Sequence, residues 1–550
     1  MSCAPYPAAV RLGNVTLSNN MTARGMNMSI GSPPQALAFM PLMPLNNSII
    51  YGTDGYCLTG SPGDGPWTDT GCTTFRAGAY DSLASSSKAA ANADAYPYDG
   101  AGDPIIGFSK YPQFQYMSDA LHLNDNVTIS GFPLGVALND WGEQGYFPTM
   151  GIGLGTNSTI LNLLVSTGQI ASRSWSFFWG RTTVPDGASS STAQQLDGSV
   201  VFGGYDRAKV TGTKYTQPMT ATEPECASQL VVNIADIVLN FANGSDVSIF
   251  PASSSAAMAA CISPALPTLM WMPLDPYFTN MMTMTDNDIY DMGRSVGIYY
   301  WNMRYETSSQ FEPYGGDLTI KLQSGLSVRI SNDQLVRPHT SIDQTTGAIV
   351  VNSTAPDLLI NSLQSTEATR LAQIGWQFFS AAYLLVNQDA NEFTLWEANP
   401  TTAEDLVAVD TTGAEVTQFC AASSGNTTTG GGGDNTNSNN NNNTTTHKSV
   451  SAGVIAGSVV GAVAAICIAA GLLVWWLRRR RLQPNPHAAG APGVAAMGNP
   501  GGGMNYSAEL DALNGHSRHA SPQVLGSEAK YYSFQETAPP VFEVHHELQA

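Results

Sequence analysis

Met28-Ser29-Ile30-Gly31-Ser32-Pro33-Pro34-Gln35 runs straight into the apolar stretch Ala36 to Met43, and the reading of this junction decides the fold. Gly31, Pro33 and Pro34 predict a turn. The apolar residues after them predict a strand. Met150-Gly151-Ile152-Gly153-Leu154-Gly155, an apolar strand interrupted by glycine, follows about 110 residues later. The pattern then repeats weakly. Residues 42 and 264 stand 222 apart, each in an apolar run ahead of a short helix or turn, and Ile374-Gly375 follows the second as Met150 to Gly155 follows the first. Further strand-like runs at Gly198 to Phe202, Leu230 to Ile234 and Leu318 to Leu322 are β-branched or alternating, with Gly, Asn, Asp and Pro between them. Helical patterns are short, near Thr159 to Leu164 and Leu274 to Met281. Residues 1 to about 420 therefore read as an all-β, duplicated domain.

Composition changes sharply beyond that point. Residues 421–451 are rich in Gly, Asn and Thr and hold too little apolar material for a core, which predicts a flexible stalk. Ala452 to Leu477 is a run of 26 residues without charge or proline, long enough to cross a bilayer as one helix. Trp475 and Trp476 suit the headgroup layer, and Arg478 to Arg481 mark the cytoplasmic side. Gly453, Gly457 and Gly461 are spaced for close helix approach and self-association within the membrane. Residues 478–550 are Pro-, Gly- and Ala-rich, which predicts a disordered cytoplasmic tail. The expected location is the plasma membrane or another membrane of the secretory pathway, with the N-terminal domain outside. The opening MSCAPYPAAVRLGN has neither a basic nor an apolar leader segment, so a signal peptide is expected upstream of it.

The outward part agrees with that orientation. It carries 17 basic and 37 acidic residues, which argues against nucleic acid as a partner. Cys3, Cys57, Cys72, Cys226, Cys261 and Cys420 are six cysteines in a compartment that permits disulfides, and Cys57 and Cys72 are close enough to clip one loop. Cys467 falls in the span. Only His122, His339 and His447 precede the span, so no metal cluster is expected, and nothing in the chain calls for a cofactor. Glycan acceptor triplets begin at Asn14, Asn20, Asn27, Asn46, Asn126, Asn157, Asn243 and Asn352, with more at Asn426, Asn442 and Asn443 in the stalk.

These segments taken in order resemble the pepsin-like aspartic peptidases of family A1, of the fungal membrane-anchored kind, over roughly residues 25 to 400. Ile30 to Gln35 resembles the strand before the first catalytic loop, and Gly151 to Gly155 the strand that closes it. Ile170 to Trp179 and Asp197 to Asp206 resemble the end of the N-lobe. Thr268 to Pro273, Ile374 to Tyr383 and Glu392 to Leu395 resemble the C-lobe. The resemblance implies an all-β bilobal fold, with an N-lobe over about 25–215 and a C-lobe over about 216–420.

It also implies two Asp-Thr/Ser-Gly motifs whose carboxylates share a proton and hold a water, and neither motif is present. The first aspartate position holds Leu42, or Met43 with a one-residue slip, and the second holds Pro264. Prolines there fix φ and remove N–H donors. Asp54 and Asp275 are the carboxylates nearest in sequence to replace them, but they lie about 11 residues past the vacant positions, and Asp275 before Pro276 reads as a helix cap. The expectation is a pseudoenzyme whose cleft, lined by Leu42, Met43, Pro264 and Leu266, binds an extended peptide or a cell-wall ligand. Two alternatives are an active endopeptidase with relocated carboxylates and a structural glycosylated surface protein.

Overall fold

The computed structural model describes residues 3–43, 45–53, 68–91, 114–137, 150–182, 195–223, 225–251, 257–287, 292–294, 303–305, 312–363 and 370–420. Asp54, Cys57, the stalk, the stretch 452–477 with its three glycines, and the tail lie outside the described residues. Among the described residues no helix is long and apolar enough to cross a membrane. The described residues all belong to one compact unit.

That unit is built mainly of strands, in line with the all-β expectation. A thirteen-stranded sheet starts at Val210–Pro218 and passes through Glu392–Ala398, Ala382–Asn387, Ser174–Arg181, Leu196–Phe202, Ala8–Thr16 and Thr22–Ile30. It continues through Gln35–Leu42, Met150–Gly153, Ile49–Tyr51, Thr128–Ala137 and Phe114–His122 to Ala89–Ala90. The second half has its own eight-stranded sheet, with Val231–Asn240 and Met258–Ile262 near its middle. The half boundary expected near residue 216 is therefore crossed: Ala382–Asn387 and Glu392–Ala398 leave the C-terminal half to join the sheet of the first. The first half also begins earlier than residue 25, with Ala8–Thr16. Ser174–Arg181 and Ala382–Asn387 pair antiparallel and are buried almost throughout, so the junction between the halves lies in the interior of this shared sheet. Tyr383 ties the layers there, its hydroxyl 2.8 Å from Ser176 Oγ and accepting from Asp206 N–H at 2.8 Å. One apolar core joins residues from both halves.

Among the described residues four short α-helices accompany the sheets: α1 (Asp69–Phe75), α2 (Thr159–Ser166), α3 (Thr279–Met284) and α4 (Asn332–Leu335). Thr68 caps α1 by accepting from Gly71 N–H, and Ser158 caps α2 by accepting from Leu161 N–H. The pattern near Leu274 resolves into a π-type turn, Leu274–Phe278, that leads into α3. Asp275 is non-helical and exposed there, and its carboxylate accepts the Thr279 hydroxyl at 2.6 Å instead of a backbone N–H. Cys3 pairs with Cys420 and Cys226 with Cys261, and Cys72 is disulfide-bonded.

Candidate functional site: two crossed loops

Each half contains a strand pair held apart by a third strand. In the first, Met150–Gly153 lies between Gln35–Leu42 and Ile49–Tyr51, parallel to one and antiparallel to the other. In the second, Ala372–Ile374 lies between Met258–Ile262 and Met270–Pro273 with the same two senses. The next neighbours match as well: Thr128–Ala137 runs parallel to Ile49–Tyr51, and Ile360–Leu363 runs parallel to Met270–Pro273. The chain between each separated pair must therefore cross over the intervening strand, as a ψ-shaped loop. This is the duplication expected from the sequence.

Local hydrogen bonds set the two loops in register. Leu45 N–H donates to Leu42 O at 3.3 Å, and Leu266 N–H donates to Ser263 O at 2.9 Å. Gly153 and Gly375 lie under the loops. A Cβ on Gly153 would sit 2.4 Å from Asn47 O, and one on Gly375 would sit 2.2 Å from Thr268 O. Only glycine lets the backbones approach so closely. The matching turns pair Leu42 with Ser263 and Met43 with Pro264. Thus the slipped position, Met43, is the counterpart of Pro264.

The residues expected to line an open cleft are mostly buried. Met43 is 3 % exposed and Leu266 5 %, Pro264 is buried, and only Leu42 is half-buried. Met43 belongs to the core and Leu42 packs against it. The polar groups of the first loop are engaged locally: Asn46 Oδ1 accepts Asn157 N–H at 2.9 Å, Asn47 Oδ1 accepts the Thr159 hydroxyl at 2.6 Å, and Ser48 Oγ accepts Gly153 N–H at 3.2 Å. In the second, Ser263 donates to Gln373 Oε1 at 2.9 Å. Among the described residues neither loop contains a carboxylate, and no hydrogen bond joins one loop to the other.

Burial also separates the glycan acceptors. Asn46 is 7 % exposed, so the folded chain leaves no room for a sugar on it, whereas Asn14, Asn20, Asn27, Asn126, Asn157, Asn243 and Asn352 are exposed. The sequence could not reveal this, because the acceptor triplet is the same in all of them.

The sequence reading missed a fully buried acid, Asp119, close to Gly31. Tyr80 and Ser87 donate to its two oxygens at 2.6 and 2.5 Å, and Ala120 N–H donates at 2.8 Å. Burial alone would raise its pKa; the hydrogen bonds from Ser87, Tyr80, Ser85 and Ala120 outweigh that and leave it below the ordinary value. Burial, followed by the Asp119 hydrogen bond, pushes the Tyr80 phenol up. The arrangement is a closed structural network. His122 is likewise occupied, with Nε2 3.1 Å from Gly31 O and Nδ1 3.0 Å from Thr128 Oγ1. His339 Nδ1 faces the buried carboxylate of Asp357 at 3.1 Å. Among the described residues no group of side chains is arranged to hold a metal ion.

No family model matches the chain, and no curated protein matches it. Among solved structures it is similar to the crystal structure of aspartic proteinase from Irpex lacteus, at 17 % identity and a TM-score of 0.43, over 72 % of this chain and 99 % of that one. The strand order of this chain by itself gives an all-β molecule of two halves with a ψ-shaped loop in each.

Proposed function

We propose that this chain is an outward-facing, membrane-anchored protein of aspartic-peptidase-like architecture that does not hydrolyse peptides and acts as a binding module at the cell surface. One observation carries the reading: Met43 and Pro264, which the resemblance aligns with the two aspartates of a shared-proton mechanism, are buried and apolar at matching turns of the two loops. An architecture persists without its chemistry, because strands build it. The ligand class is an extended peptide or a cell-wall component, met by the partly exposed loop residues Leu42, Leu45, Ser263, Ala265 and Pro267. The stretch 452–477 supplies the anchor.

The test is hydrolysis of a quenched fluorescent peptide by the purified protein from about pH 3 to 6, the range for a carboxylate pair. No turnover is expected. Turnover inhibited by pepstatin would instead support relocated carboxylates, with Asp54 and Asp275 the first to mutate. A second reading, a structural glycosylated module without a ligand, gains support from the burial of Met43, Pro264 and Leu266. Pull-down of a peptide library and of wall glycans separates the two: specific retention favours the binding module, and none favours the spacer.

A further inference from the structure

The hairpin formed by Val336–Ile342 and Ile349–Leu358 belongs to the C-terminal half, yet its tip rests on α1 of the first half. Thr68 N–H and its hydroxyl both donate to Gln344 O, at 3.0 and 3.1 Å, and the hydroxyl reaches Thr345 O at 2.6 Å. Two glycines make this approach feasible. A Cβ on Gly71 would lie 2.0 Å from Gln344 O, and one on Gly347, at φ +70°, would lie 2.5 Å from Thr74 Oγ1. Asn19 braces the same place, donating to Thr70 O and Thr74 Oγ1 at 2.8 and 2.9 Å.

Both ends of this contact lead back to the crossed loops. On one side, α1 is fixed to the strands of the first loop. Ala38 N–H donates to Ala77 O at 3.0 Å, Tyr80 N–H donates to Tyr51 O at 2.9 Å, and the buried Arg76 guanidinium lies 4.5 Å from the Tyr51 ring centroid. On the other side, α4 precedes the hairpin and is tied to the second loop. Gln377 Nε2 donates to Gln334 Oε1 at 2.8 Å, and Gln377 N–H donates to Thr268 O at 3.3 Å. Gln334 Nε2 also donates to Thr182 O of the first half at 3.0 Å, and Arg337 donates to the same oxygen.

We propose that the 336–358 hairpin is a strap that holds the two crossed loops at a fixed separation, through α1 at its tip and Gln334 at its base. It does from outside what no hydrogen bond between the described loop residues does directly. The proposal is independent of whether the loops bind a ligand.

Gly71→Ala tests it in the full-length protein. Alanine favours a helix intrinsically, so it leaves α1 intact while its Cβ drives the tip away. Hydrogen–deuterium exchange should then rise about tenfold at Thr68 and Gly347, and also at Leu45 and Gly155 of the first loop and Leu266 and Trp376 of the second. Exchange in Ala382–Asn387 should stay unchanged. Exchange that rises at the tip while both loops stay protected would overturn the proposal, as would no change anywhere. If Gly71→Ala does not fold, Gly347→Ala replaces it, because its Cβ would meet Thr74 Oγ1 while the Thr68 cap of α1 stays in place. A strap predicts loss of protection in both loops of this variant, and loops as protected as in the unmodified protein refute it.

Discussion

Aspartate at Met43 and Pro264 would place carboxylates where the chain buries apolar side chains, and no hydroxyl or glycine follows either position to support them. The double variant should therefore stay inactive on the fluorescent peptide, and its melting should show a loss of about 3 kcal/mol or more. Restored cleavage would mean that the loops lack only charge. Asp119 makes the opposite case, a buried carboxylate that is well supported. Its pKa is lower in the folded chain than unfolded, so its contribution is present above the unfolded value near pH ~4 and is lost as pH falls through the folded one. Asp119→Asn should cost about 2–4 kcal/mol at neutral pH and flatten the fall in stability at acid pH, read by chemical denaturation at a series of pH values. A parallel acid limb in wild type and variant would remove Asp119 from the account. Periodicity could not have found this residue: Asp119 shares the inward row of its strand with Met117 and Leu121, where an alternating pattern calls for an apolar side chain, and its Tyr80 partner lies 39 positions away.

At the scale of elements, the crossed loops were legible because glycine marks them. Gly153 and Gly375 each follow an isoleucine, and both are required by a carbonyl within 2.4 Å of where a Cβ would stand. Gly375→Ala should cost about 2–4 kcal/mol, whereas Gly315→Ala, with nothing within 4 Å of the new atom, should be close to neutral. Similar losses in the two would refute the close approach. The shared sheet was less legible, since Ala382 to Asn387 reads as a buried strand without saying which half it joins. The strap was not legible at all. Its contacts are backbone carbonyls of Gln344 and Thr345, which any residue would supply, meeting Thr68 across 276 and 277 positions. Leu42, Met43, Pro264 and Leu266 are apolar by sequence, but the burial of Met43, Pro264 and Leu266 follows from packing that only the folded chain displays.

At the scale of the molecule, the first and last described segments are fastened together. Cys3 and Cys420 are bonded across 417 positions, and the adjoining residues pair, with Ala4 N–H donating to Gln418 O at 2.9 Å and Cys420 N–H to Ala4 O at 2.9 Å. Closing so long a loop restricts the unfolded chain strongly, and replacing both cysteines with serine should cost about 2–5 kcal/mol. The bond also bears on orientation, because it sits where the stalk sequence begins and needs an oxidising compartment. The exposed acceptor triplets allow an independent test of the same orientation. If the domain faces outward, mass spectrometry of the protein from its native membrane should find glycans on several of Asn14, Asn20, Asn27, Asn126, Asn157, Asn243 and Asn352, none on the buried Asn46, and no free thiol at Cys3 or Cys420. The two readouts fail differently. Free thiols with no glycan anywhere would place the domain on the reducing side and remove the proposed anchor orientation. A glycan on Asn46 with the disulfides intact would leave the orientation standing and show instead that the first crossed loop is open in the native protein, returning Met43 to an accessible cleft.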